Sequence, residues 1–224
     1  MDRKVLALSI ILVITVGVGV AYFYGKSDSN EVPVNYKAKI LSKLGAMDCY
    51  TYEESINIVR GNVSINSTIE GGYYNGTYFF HGKKEGVEWW TVVTGGTLLQ
   101  RIIVNGSERI VTMNISDAER SMLTSYDPVK FALRAVGAGM ELGGDELSRT
   151  YRYTMRLYPG KDDTLISGNV TVVMDQDFNP VKIKTVGTVM PPSGKSEIRK
   201  ITSEISENCR TPGWVVELVK KAGQ

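Results

Sequence analysis

Residues Tyr73 to Val111 read YYNGTYFFHGKKEGVEWWTVVTGGTLLQRIIVNGSERIV. Short runs rich in Tyr, Phe, Trp, Val and Ile alternate with Asn75-Gly76, Gly82 to Gly86, Gly95-Gly96 and Asn105-Gly106. Aromatic and β-branched residues suit a pleated, half-buried surface. Asn-Gly and Gly-Gly supply the positive φ that tight primed turns require, so the stretch predicts consecutive antiparallel hairpins. Upstream, Val63, Ile65 and Ile69 alternate with Asn62, Ser64, Asn66 and Thr68, again with a period of two. Residues 49–114 thus predict about six strands in an up-and-down meander.

On either side of the meander the pattern turns helical. Ser116 and Glu119 fit a capping box for a helical segment to about Tyr126. Asp127-Pro128 reads as the N-cap and first-turn proline of a second helix, striped by Val129, Leu133 and Val136 and closed by Gly137 and Gly139. Before the meander, Tyr36, Ile40, Leu41 and Leu44 recur at helical spacing up to Gly45. Strands resume at Tyr151, Tyr153, Met155 and Leu157, and continue near 166–174, 181–190 and 196–206. Asp175, Asp177 and Asn179 lack the glycine and closing Glu of a calcium loop and read as a hairpin turn. Trp214, Val215, Leu218 and Ala222 stripe a closing helix in the tail 211–224 beside Lys220 and Lys221: a lid, a lipid-surface contact or an element packed on the sheet.

Val5 to Tyr24 is one apolar stretch after Arg3 and Lys4. About 20 residues at 1.5 Å each span a hydrocarbon core of roughly 30 Å. The positive-inside rule keeps residues 1–4 in the cytoplasm, makes 5–24 a retained transmembrane anchor and 25–35 a polar stalk, and puts the domain 36–210 outside. The rival reading is a cleaved signal peptide with Gly19-Val20-Ala21 as the cleavage site. The expectation is a plasma-membrane, single-pass glycoprotein with its carboxyl-terminal domain on the extracellular face. Two features support it. Six Asn-x-Ser/Thr sequons, at Asn62, Asn66, Asn75, Asn105, Asn114 and Asn169, follow the anchor among eleven asparagines, where chance gives roughly two. Cys49 and Cys209 bracket the domain and read as one disulfide in an oxidising compartment; the alternative is two free buried thiols.

Composition narrows the function. A net charge of +2 lacks the footprint of a nucleic-acid binder, and one His with two Cys leaves no set for zinc, haem or iron–sulfur. His81 has no nucleophile elbow to serve, and Glu53-Glu54 and Asp162-Asp163 read as solvated charges. Neither an enzyme nor a cofactor is expected.

The order of elements, with Gly61, Gly71-Gly72-Tyr73, Gly76-Thr77-Tyr78, Glu88-Trp89-Trp90 and Asp127-Pro128, resembles the LolA/LppX-like superfamily over roughly residues 36–207. The resemblance implies an α+β fold: a strongly curved antiparallel sheet of about ten strands, a half-barrel, enclosing a helical insert. Joined to the anchor and sequons, it suggests a membrane-anchored version from an archaeal or other glycosylating surface. It implies a module holding a lipid or other apolar ligand, with Trp89, Trp90, Val129, Leu133 and Val136 as candidate cavity residues. The alternative is a glycosylated cell-envelope structural protein that engages an envelope partner and no small ligand.

Overall fold

A computed structural model describes residues 35–156, 165–190 and 196–222. The expected tail 1–4, the expected anchor 5–24 and the expected stalk up to residue 34 lie outside the described residues. No helix among the described ones is long and apolar enough to cross a membrane.

After α1 (Tyr36–Ala46) come β1 (Cys49–Arg60), β2 (Val63–Tyr74), β3 (Thr77–Lys84), β4 (Val87–Thr94), β5 (Thr97–Val104) and β6 (Ser107–Asn114). These are the six predicted strands, each paired antiparallel with the next. Asn75 and Gly76 (φ 47° and 79°) and Asn105 and Gly106 (φ 49° and 82°) occupy their turns with both central residues left-handed. That is the conformation Asn-Gly adopts at least cost.

The segment that follows is helical, as α2 (Asp117–Leu123), a 3-10 turn (Thr124–Tyr126) and α3 (Pro128–Ala138). The capping box is present: Glu119 N–H donates to Ser116 Oγ at 3.3 Å, and Ser116 N–H to Glu119 Oε2 at 2.8 Å. Asp127 caps α3 by accepting from the Val129 and Lys130 N–H groups, both at 3.1 Å. Then come β7 (Met140–Gly144), β8 (Ser148–Arg156), β9 (Leu165–Met174), β10 (Pro180–Met190), β11 (Glu197–Ser206) and α4 (Gly213–Ala222).

The fold is an open, curved antiparallel sheet in the order β6-β5-β4-β3-β2-β1-β11-β10-β9-β8-β7. The sequence reading leaves out one strand: eleven are present among the described residues, and the missed one, β7, with sequence MELGG, is too short and too exposed to stand out. Two meanders meet where β11 returns to pair with β1, from Thr51↔Ser206 to Val59↔Ile198.

The two faces are covered unequally. On the concave face α3 packs over β8 to β10 and against α1, burying Ile40, Leu44, Val129, Ala132, Ala135 and Val136 with Tyr151, Val170, Val172 and Ile183. The fully buried Ala132 and Ala135 let α3 approach closely. On the opposite face Val215 and Leu218 of α4 bury Phe79, Val92 and Leu99, with Trp214 edge-on to Phe79 at 6.1 Å between centroids. The closing helix is therefore packed on the sheet.

Cys49 and Cys209 are disulfide-bonded across a separation of 160 residues. The bond fastens the chain leaving β11 to the start of β1. In the chain-entropy model so long a loop stabilises by about 5 kcal/mol. We expect Cys49→Ser to lower the thermal midpoint by roughly 10–20 °C while a folded sheet persists in circular dichroism at room temperature. An unchanged midpoint would show that the bond does not constrain the unfolded chain.

Candidate functional site

The concave face is not filled throughout. Over β1 to β5 and β9 to β11, beneath α2 and the start of α3, lies a cavity of about 450 Å³. That is within the range of small-molecule sites, roughly 300–1,000 Å³. Strand register decides which side chains form its floor. One ladder row runs Ser203, Glu54, Ile69, Gly82, Trp89; the next runs Ile205, Tyr52, Gly71, Phe80, Thr91, Gln100. The two glycines have a packing reason. A Cβ on Gly71 would collide with the Tyr52 ring, and one on Gly82 with the Trp89 indole. Both aromatic rings thus lie flat across a neighbouring strand, and the floor is broad and apolar. The roof adds Met122, Leu123, Tyr126, Pro128 and Phe131.

Of the candidate cavity residues, Trp89 stands on the wall. The others sit elsewhere, which corrects the sequence reading. Trp90, the next residue on a strand, faces the opposite side, where it stacks on His81 (4.8 Å between centroids, 5° between planes) under Arg101. Val129 and Val136 are fully packed into the core, and Leu133 packs beside them. At 100° per residue, the α3 face that meets β8 to β10 is not the face that roofs the cavity; Pro128 and Phe131 do that. His81 joins the same outer array, with its Nε2 2.9 Å from Glu88 Oε1. All six sequon asparagines are exposed, Asn75 and Asn105 at hairpin tips. Asp175 organises the β9–β10 turn, accepting from Asp177 and Asn179 N–H at 2.9 and 2.8 Å.

Two acids on the cavity wall escaped the sequence reading. Glu53 and Glu54 looked like paired solvated charges, but alternation sends Glu53 out and Glu54 in. Glu54 is 8% exposed, and Ser203 Oγ donates to its Oε2 at 2.8 Å. Asp127 is 5% exposed; its Oδ1 takes the two helix N–H groups and the Tyr50 hydroxyl at 2.7 Å. Its Oδ2 is buried without a hydrogen-bond partner among the described residues. Burial pushes the Glu54 carboxyl up to about 7, against the Ser203 hydrogen bond and with a smaller push from Asp127. Burial likewise raises Asp127 to about 6, partly offset by Tyr50 and by the helix N–H groups and charge of Lys130. The parity of Glu54 was the one available signal, and it needed the strand's inward face to be known.

No protein-family model matches the chain, and no curated protein matches it. Among solved structures, the chain is similar to a DUF1329 family protein from Desulfovibrio piger, at 10% identity and a TM-score of 0.40, over 80% of this chain and 95% of that one. It is similar also to a LolA superfamily protein from Nitrosomonas europaea, at 9% identity and a TM-score of 0.38, over 80% and 96%. Likeness this loose transfers neither a ligand nor a residue's role.

Proposed function

We propose that the protein is a membrane-anchored extracellular module that holds a lipid or other apolar ligand inside its curved sheet. One observation carries the reading: the sheet and helices leave a largely apolar, partly open cavity of about 450 Å³ on the concave face. Apolar surface facing such a space is stabilised when an apolar ligand takes the place of water there. The aromatic floor of Tyr52, Phe80 and Trp89 and the aliphatic side chains of Ile56, Ile69 and Ile183 suit an acyl chain or similar group. The apolar stretch 5–24 and the exposed sequons support the cell-surface setting.

Native mass spectrometry and lipid extraction of the purified protein test this. We expect a stoichiometric apolar ligand. In Thr91→Trp, which plants an indole on the cavity floor beside Phe80, the bound ligand should fall at least about tenfold, because the lost contact area is worth more than 1.4 kcal/mol. Ligand absent from the wild type, or retained in full by a folded Thr91→Trp protein, would remove the reading.

A further inference from the structure

The cavity is apolar, yet its wall carries two carboxyl groups more than nine-tenths buried, Glu54 on β1 and Asp127 at the start of α3. β1 links them: its inward residues run Tyr50, whose hydroxyl binds Asp127, then Tyr52, then Glu54, and Asp127 is near enough to act on the Glu54 carboxyl. Ser203 and Thr185 of β11 and β10 and Thr124, three residues before Asp127, also line the cavity. The acids' own partners do not exhaust them. Ser203 engages only Oε2 of Glu54, and three donors converge on Oδ1 of Asp127 while Oδ2 has none among the described residues. The nearby cations make no hydrogen bond or ion pair to either acid: Arg199, which also lines the cavity, and Arg60 both pair with Glu197, and the Lys130 ammonium, whose charge acts on Asp127, sits 4.2 Å over the Tyr78 ring and 3.4 Å from Thr124 Oγ1. A buried carboxylate oxygen without a donor is costly, and a second anion placed beside two buried acids is costlier still.

We infer that the cavity selects amphiphiles whose buried head donates a hydrogen bond, a hydroxyl or an ammonium, and turns away fatty carboxylates and other anionic heads. The head meets Glu54 and Asp127, and the tail lies along Trp89, Phe80 and Phe131. The inference rests on the ligand-holding reading above and assigns the chemistry of that ligand. Hydroxyl and ammonium share the recognising feature, a donor aimed at a carboxylate; they differ in charge, which the test separates.

The experiment uses the full chain, delipidated and held in amphipol at pH 8, with the neutral fluorophore N-phenyl-1-naphthylamine as probe. Dodecanol, dodecylamine and dodecanoate compete for it. We expect the alcohol or the amine to displace the probe at about one-tenth the concentration that dodecanoate needs, the ratio set by one charge-assisted hydrogen bond. An amine that outcompetes the alcohol assigns an ammonium head; equal competition assigns the shared hydrogen bond. In Glu54→Gln the preference over dodecanoate should shrink to within about threefold. If the probe binds and all three heads compete equally, or dodecanoate wins, the inference fails and the ligand-holding reading stands. If neither probe nor any amphiphile binds the wild type, both fail. The wild-type series decides the matter even if Glu54→Gln does not fold.

Discussion

The protein should be more stable at pH 5 than at pH 8, the reverse of what carboxylates in surface ion pairs produce. Burial lifts Glu54 to about 7 and Asp127 to about 6. Both values lie above those of the unfolded chain, near 4. A carboxyl whose folded pKa is raised holds its proton more tightly when folded. Its contribution is therefore fully present below about pH 4 and is lost as pH climbs through 6 and 7. Among the groups that face the pair, Tyr50 and Tyr52, both pushed up by burial, and Ser203 stay neutral over this window, so they do not cancel it. The two shifts together are worth on the order of a few kcal/mol, which for a domain of this size moves the midpoint by roughly 5–10 °C. Thermal unfolding from pH 4.5 to 8.5 checks it, and Glu54→Gln should flatten most of the slope. A midpoint that rises steadily with pH in the wild type would show that neither acid is held in the buried state.

The same acids show where sequence reasoning stops. The meander 49–114 was legible because its information is local: each Asn-Gly or Gly-Gly fixes its own turn, and the alternation fixes the strands between. The capping box at Ser116 and the Asp127-Pro128 start of α3 were legible for the same reason. What decides the site is non-local. The return of β11 to β1 brings Ser203 opposite Glu54 across 149 residues, and no short-range pattern announces it. Without that pairing, Glu54 is half of a charged dipeptide, and only its parity with Tyr50, Tyr52, Ile56 and Ile58 hints at the inward face. The stripe Val129, Leu133, Val136 is a true core stripe, and for that reason it was a poor guide to the cavity. A helix lying on a curved sheet presents one face to packed strands and another to the space that curvature leaves. Periodicity finds the first and is blind to the second. Trp89 and Trp90 divide the same way, one into the cavity and one onto the outer array with His81 and Arg101.

Asp127→Ala should be among the most damaging single changes in the protein. Three donors converge on Oδ1: the N–H groups of Val129 and Lys130, and the Tyr50 hydroxyl, which is itself buried on β1. Loss of an N-cap carboxylate costs about 1–2 kcal/mol. A buried phenol left without its acceptor costs about 1–3 kcal/mol more. Removing the unpartnered Oδ2 returns part of this, so a net loss of about 3 kcal/mol is expected from denaturant unfolding at pH 7. Asp127→Asn separates the terms. Asn caps helices about as well as Asp and still offers Tyr50 an oxygen, but it carries no charge to bury. It should therefore stay within about 1 kcal/mol of the wild type at pH 7 and exceed it at pH 8, where the buried carboxylate is most costly. If Ala and Asn prove equally harmful, the charge itself and not the hydrogen-bond geometry holds the start of α3 to β1. If both are harmless, the roof is held by the packing of Val129, Ala132 and Val136 alone, and the link from Tyr50 through Asp127 to the helix contributes nothing that unfolding can detect.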